Sequence, residues 1–285
     1  MAALQIDTYY NHTQIKSLLD YGEKILQQPH NVEQENHSEN LPRVTKTLNN
    51  LLRAGHQIHF VEYQGKEYVF KVFADLGEYS PERHSYGRRV AFFLDNWIKN
   101  PARRSYQGAY TLKELNIPAI QPLAALSGRW GIHRRGLFIY ESVQAEYNLK
   151  KWLKFGLSEH KIQAALEQLC KITRQLEICK YHFSDFKMDN ILVEIKNTNN
   201  FTLTLIDTDE VINSVLKKYA LLPKKWNLWL NLWHLRRLKP VAPLDEEFLR
   251  CHLGENYHPD HLETWRRFRR FQPNPIKWLK RKKKK

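Results

Sequence analysis

Tyr181-His182-Phe183-Ser184-Asp185-Phe186-Lys187-Met188-Asp189-Asn190-Ile191-Leu192-Val193-Glu194 is a polar loop that runs straight into an apolar strand. A turn at 196–200 leads to a second strand, 201–206, which ends at Asp207-Thr208-Asp209-Glu210. An isolated Asp five residues before an Asn is ordinary turn chemistry. Here the pair is followed by a hairpin and another Asp, and that order matters. Phosphoryl transfer asks little covalent chemistry of a protein: a base for the acceptor hydroxyl, hard oxygen ligands for Mg²⁺, and cations on the phosphates. Asp185 can take the hydroxyl proton, Asn190 can reach a metal, Asp207 can hold that metal, and Lys187 can neutralise the transferring phosphate.

Working towards the N-terminus, two β-rich runs, 56–63 and 67–73, flank the turn Gln64-Gly65-Lys66 and predict a hairpin. Strand alternation puts Val69, Lys71 and Phe73 on one face, where a buried ammonium needs an anionic partner such as a phosphate. Helical periodicity is expected at 11–27, 88–98 and 103–115, the last stopped by Pro118. A polar linker is expected at 29–43. Two short strands follow, the second at 137–142 after a loop at 127–136 in which Arg129, His133 and Arg134 are read as solvated. Towards the C-terminus, Ser158 is a candidate N-cap for a long helix with Ile162, Leu166, Leu169, Ile172 and Leu176 on one stripe. Trp226, Trp229 and Trp233 read as packing residues of a later helix, and Phe248 and Leu249 as the apolar face of another.

The 285 residues, 42% hydrophobic and 12% aromatic with 11 Gly and 12 Pro, exclude a disordered or collagen-like chain. Three cysteines, none in a CxxC spacing, suit neither a disulfide framework nor a zinc site and fit a reducing compartment. No basic segment followed by an apolar one opens the chain and no run of about 18 apolar residues occurs, so neither export nor a membrane span is expected. The charge of +15 is uneven: residues 265–285 hold 11 basic side chains and no acid, leaving 34 basic against 30 acidic upstream. The sequence therefore divides into a helix and linker (1–43), a sheet-bearing lobe (44–143), a mostly helical lobe (144–264) and a basic tail (265–285).

These segments together resemble the protein-kinase-like superfamily, and within it the lipopolysaccharide core (Kdo/heptose) kinases. Val69-Phe70-Lys71-Val72 is similar to the strand bearing the ATP-phosphate lysine. The passage 112–124, with Pro118, Pro122 and Ala124, resembles that family's proline-rich stretch. Phe138-Ile139-Tyr140-Glu141 is similar to the hinge strand that takes the adenine, 185–193 to the catalytic loop, and Leu205-Ile206-Asp207-Thr208-Asp209 to the metal motif. The resemblance implies an α+β, two-lobed protein-kinase-like fold with a small antiparallel sheet in the first lobe and mostly helix in the second. It implies Asp185 and Lys187 as catalytic residues, Lys71 and Glu141 on the nucleotide, Asn190 and Asp207 on the metal, and ATP and Mg²⁺ as cofactors. The acceptor would be a sugar hydroxyl of an envelope glycolipid. The chain would lie in the cytoplasm, peripheral on the inner face of the membrane, with its basic tail on anionic lipid; specific nucleic-acid binding is not expected. A protein or small-molecule kinase would use the same parts. A catalytically weak pseudokinase scaffold is the reading from another class, since Phe183 stands where that family has His, no glycine-rich loop precedes Lys71, and 103–108 offers Ser105 and Gln107 but no carboxylate. Glu82 and Glu114 are then the candidate partners of Lys71.

Overall fold

The computed structural model describes residues 5–8, 12–27, 41–49, 56–73, 100–130, 133–155, 157–183, 185–197, 200–213, 232, 235, 238 and 244–270. The expected helix at 88–98, Glu82, the linker up to residue 40 and the three tryptophans 226, 229 and 233 lie outside them. The chain groups into two compact units, Met1–Ala145 with Thr204–Val211, and Glu146–Leu203 with Ile212–Lys285.

The first unit is built on one six-stranded antiparallel sheet. Its strands are β1 (Gln5–Thr8), β2 (Arg43–Asn49), β3 (His56–Tyr63), β4 (Lys66–Phe73), β5 (Pro122–Trp130) and β6 (His133–Glu141), ordered β1-β5-β6-β4-β3-β2. The β3–β4 hairpin turns through Gln64 and Gly65, both at positive φ (51° and 70°), a conformation that glycine adopts without steric cost. Alternation along the strands then sorts the two faces. Phe70, Val72, Leu126, Leu137 and Ile139 pack beneath Ile15, Leu18, Leu19, Ile25 and Leu26 of helix α1 (His12–Gln27). Phe73, Ala125 and Phe138 face the other way, with Ala102, Tyr106 and Ala109 of helix α2 (Pro101–Glu114). Lys71 shares that second face, its ammonium 5.0 Å from the centre of the Phe73 ring.

Two expectations change here. The stretch 127–136, read as a loop, is almost wholly strand, with Ser127 opposite Gly136 and Trp130 opposite His133. Its arginines suggested solvent, yet a continuous ladder satisfies the backbone whatever the side chains carry. The N-terminal segment also contributes β1, and the stretch directly after the expected linker forms β2; these are the two outermost strands of the sheet. Edge strands tolerate polar and charged residues, so their sequences carry little alternation.

In the second unit β7 (Tyr147–Asn148) pairs with β9 (Ile191–Asn197), and β10 (Asn200–Leu205) borders β9 before the chain enters the segment that groups with the first unit. A short helix α3 (Leu149–Trp152) and the long helix α4 (Glu159–Ile178) precede β8 (Tyr181–Phe183). The predicted stripe of α4 is buried at Leu166, Leu169, Ile172 and Leu176; Ser158 is its N-cap position but makes no side-chain capping bond. Gln168 ties α4 to β10, donating to the Phe201 carbonyl (3.0 Å) and accepting from the Leu203 amide (3.1 Å). Helices α5 (Asp245–Leu253) and α6 (Pro259–Arg270) close the core through the fully buried Phe248, Leu249 and Trp265. The antiparallel sheet of the first unit and the helices of the second are the α+β elements of the kinase-type fold expected from the chain.

Candidate active site

In the second unit the loop after β8 is pinned from beneath by apolar side chains. Phe183, Phe186, Met188 and Ile191 are buried, the two phenylalanine rings lying 5.7 Å apart. Their burial fixes the backbone that carries the polar residues. Asp185 is only 8% exposed. The Asn190 side-chain nitrogen donates to the Asp185 carbonyl oxygen (3.1 Å) and to its carboxylate Oδ2 (3.2 Å). Lys187 forms an ion pair with the same Oδ2. Asn190 and Lys187 therefore converge on the Asp185 carboxylate, as their spacing suggested. Because Asn190 uses its nitrogen on Asp185, its amide oxygen remains as the hard donor a cation would need. Lys150 of α3 holds Asp189 in the same loop at 2.9 Å. Phe183, where the resemblance implied a histidine, makes an apolar contact with Phe186, so packing anchors the loop there.

In the first unit Lys71 and Asp207 meet. Lys71 is 6% exposed and its ammonium is paired with Asp207 Oδ1. Burying a lysine without a counter-charge is costly, and the carboxylate supplies one. Of the two expected partners, Glu114 is exposed at the far end of α2, and Glu82 lies outside the described residues. Among the described residues the anion paired with Lys71 is Asp207, 136 positions away.

Asp207 has left-handed backbone (φ 60°, ψ 50°), which Asp tolerates better than most residues. The turn after it, Thr208–Glu210, is gripped by α2. Thr208 Oγ1 donates to the Ser105 carbonyl at 2.7 Å. Arg104 donates to the Asp209 carbonyl through Nε (3.1 Å) and Nη2 (2.6 Å), and through Nη2 to Glu210 Oε1 at 3.3 Å. At Gly108 the helix touches the turn so closely that a Cβ would lie 1.9 Å from the Thr208 carbonyl oxygen. Burial, with the nearby charges of Asp207 and Glu210, pushes Asp209 up to about 6 against the pull of Lys71 and Arg104. Burial and the Asp207 charge likewise raise Tyr140 above the usual phenol range.

Glu141 ends β6, where its amide already donates to the Gln121 carbonyl (3.1 Å) and the next amide, Ser142, donates to Glu67 (3.0 Å). Arg104, Gly108 and Thr208 did not emerge from the sequence as site residues. One signal existed: a glycine in the interior of a good helix costs about 1 kcal/mol relative to Ala, and so marks a close backbone approach.

Residues 100–220 match the Lipopolysaccharide kinase (Kdo/WaaP) family. That stretch includes α2, Glu141, the Asp185 loop and Asp207, and it leaves out Lys71. No curated protein matches the chain.

Proposed function

We propose that this chain, which belongs over residues 100–220 to the lipopolysaccharide kinase (Kdo/WaaP) family, transfers the γ-phosphate of ATP to a sugar hydroxyl of an envelope glycolipid such as the lipopolysaccharide inner core. Members of that family are kinases, so the chain is a phosphotransferase. The observation that carries the finer reading is the Asp185 carboxylate, nearly buried and held by Asn190 and Lys187. A carboxylate so oriented accepts the proton of an incoming hydroxyl, and Lys187 is placed beside it to meet the anionic phosphoryl group.

The donor chemistry fits Mg²⁺, since Asp207 brings carboxylate oxygens and Asn190 an amide oxygen, both hard ligands. Each is assigned as a ligand of the ion, whose chemistry would be to neutralise charge on the nucleotide phosphates. Lys71 and the strand end at Glu141 are assigned to the nucleotide. Among the described residues no helix is long and apolar enough to cross a membrane, and the basic residues beyond Arg270 suit an anionic lipid surface on the cytoplasmic side.

The deciding experiment incubates the chain with γ-labelled ATP, Mg²⁺ and dephosphorylated inner-core glycolipid, and finds the label by mass analysis. Label on a core sugar, lost in Asp185→Ala, is the expected result. Transfer undiminished in Asp185→Ala would refute the assignment of the base. Label on protein or on a small molecule alone would replace the acceptor.

A further inference from the structure

We infer that helix α2 positions the aspartate assigned to the metal by gripping the turn behind it, with Arg104 and Thr208 as positioning residues. The inference rests on the assignment of Asp207 to the metal. Helix α2 carries one acid, Glu114, and it is exposed. Yet the helix meets the turn behind Asp207 at three positions. Arg104, Ser105 and Gly108 stand at i, i+1 and i+4, so all three meet the turn from one face of the helix. Each fixes a different part. The Arg104 fork takes the Asp209 carbonyl, the Ser105 carbonyl takes the buried Thr208 hydroxyl, and the bare backbone at Gly108 sets the spacing.

Asp207 is left in a backbone conformation that a non-glycine residue keeps only when its surroundings hold it there. Its carboxylate is meanwhile aimed by Lys71. Backbone and side chain are thus held from opposite ends, the backbone through α2 and the carboxylate through β4. Residues that orient a ligand without touching the ion change metal affinity by about 10- to 100-fold when removed. A helix that merely packed against the turn would not need a forked donor on one carbonyl and a hydroxyl on another.

The test uses the full chain and four variants: Thr208→Val, Thr208→Ser, Arg104→Gln and Arg104→Lys. Hydrogen exchange of the amides at 204–211 reports on the grip alone. Calorimetric titration with Mn²⁺ and a non-hydrolysable ATP analogue reports on the metal. In Thr208→Val and Arg104→Gln the turn amides are expected to exchange at least about 10-fold faster, with analogue binding weaker by about 10- to 100-fold. Thr208→Ser, which keeps the hydroxyl, recovers both to within about 3-fold, and Arg104→Lys, which lacks the fork, recovers them only in part. Faster exchange with unchanged Mn²⁺-dependent binding would overturn the inference and leave Arg104 and Thr208 as packing residues. Unchanged exchange would overturn it as well. If the unaltered chain takes up no analogue at all, the nucleotide reading falls, and the positioning role falls with it; that failure shows in the parent protein, not in the variants.

Discussion

At Asp185 the structure joins two statements that a sequence can make only separately: which residue types are present, and which of them touch. Changing Asp185 to Asn keeps the size and removes the base. Phosphoryl transfer is expected to slow by about 10²- to 10⁴-fold while affinity for Mg-ATP stays within about 2-fold, measured by single-turnover kinetics and calorimetry. His59 offers a second test, of stability. It is 1% exposed, its Nδ1 lies 2.9 Å from Thr47 Oγ1, and its Nε2 is buried with no partner among the described residues. Burial holds its pKa down at about 4, against 6.5 for an unperturbed histidine. The folded chain therefore resists a proton that the unfolded chain accepts. The stability associated with a neutral His59 is complete above about pH 6.5 and is lost as pH falls towards 4, by about 2 to 3 kcal/mol at pH 4.5. Urea midpoints from pH 7.5 to 4.5 should fall less steeply in His59→Leu than in the parent; equal slopes would show that another group is responsible.

Among the elements, α2 is the one whose packing contradicts its propensity. Gly108→Ala should favour the isolated helix by about 1 kcal/mol. In the folded chain the new methyl meets the Thr208 carbonyl, so the expected result is a lower melting temperature, and a rise would mean that the close approach is absent. Helix α6 makes the opposite case. Trp265 opens the basic run, yet it is fully buried and its indole N–H donates to the Leu235 carbonyl at 3.2 Å. Trp265→Ala should cost about 3 to 5 kcal/mol by chemical denaturation. Hairpin β3–β4, helix α2 and the stripe of α4 can be read from the chain because each has a strong period and clear stop signals. Strands β1 and β2 cannot, because sheet edges impose no apolar alternation. The spacing of Asp185, Lys187 and Asn190 is local and survives in the sequence, whereas the pairing of Lys71 with Asp207 joins strands that only the fold brings together.

For the whole molecule the question is where the excess positive charge acts. Arg269 and Arg266 lie 2.6 and 3.7 Å from the buried Asp245, and Arg267 lies 3.2 Å from Glu263. Much of the charge in the first part of the basic run therefore sits opposite acids of the same unit. The seven basic residues beyond Arg270 are the ones proposed to meet lipid. Removing 271–285 is expected to weaken binding to vesicles rich in phosphatidylglycerol by at least about 10-fold, judged by co-sedimentation, and to flatten its dependence on salt. Unchanged binding would place the lipid contact elsewhere on the chain.

The first unit is not a continuous piece of chain, and that sets a timetable for its assembly. Residues 5–8 find their strand partners only at 124–127, so at about 5 to 20 residues per second the ribosome delivers the second half of that pair some 6 to 24 seconds after the first. The counter-charge for Lys71 arrives later still, with Asp207. A nascent chain that stops at Ala145 would hold a complete set of sheet strands around a lysine with no aspartate to meet, beside a helix face with no turn to grip. Expressed alone, that fragment should aggregate or stay partly open, and adding back the downstream segment within the same chain, rather than any ligand, is what should rescue it.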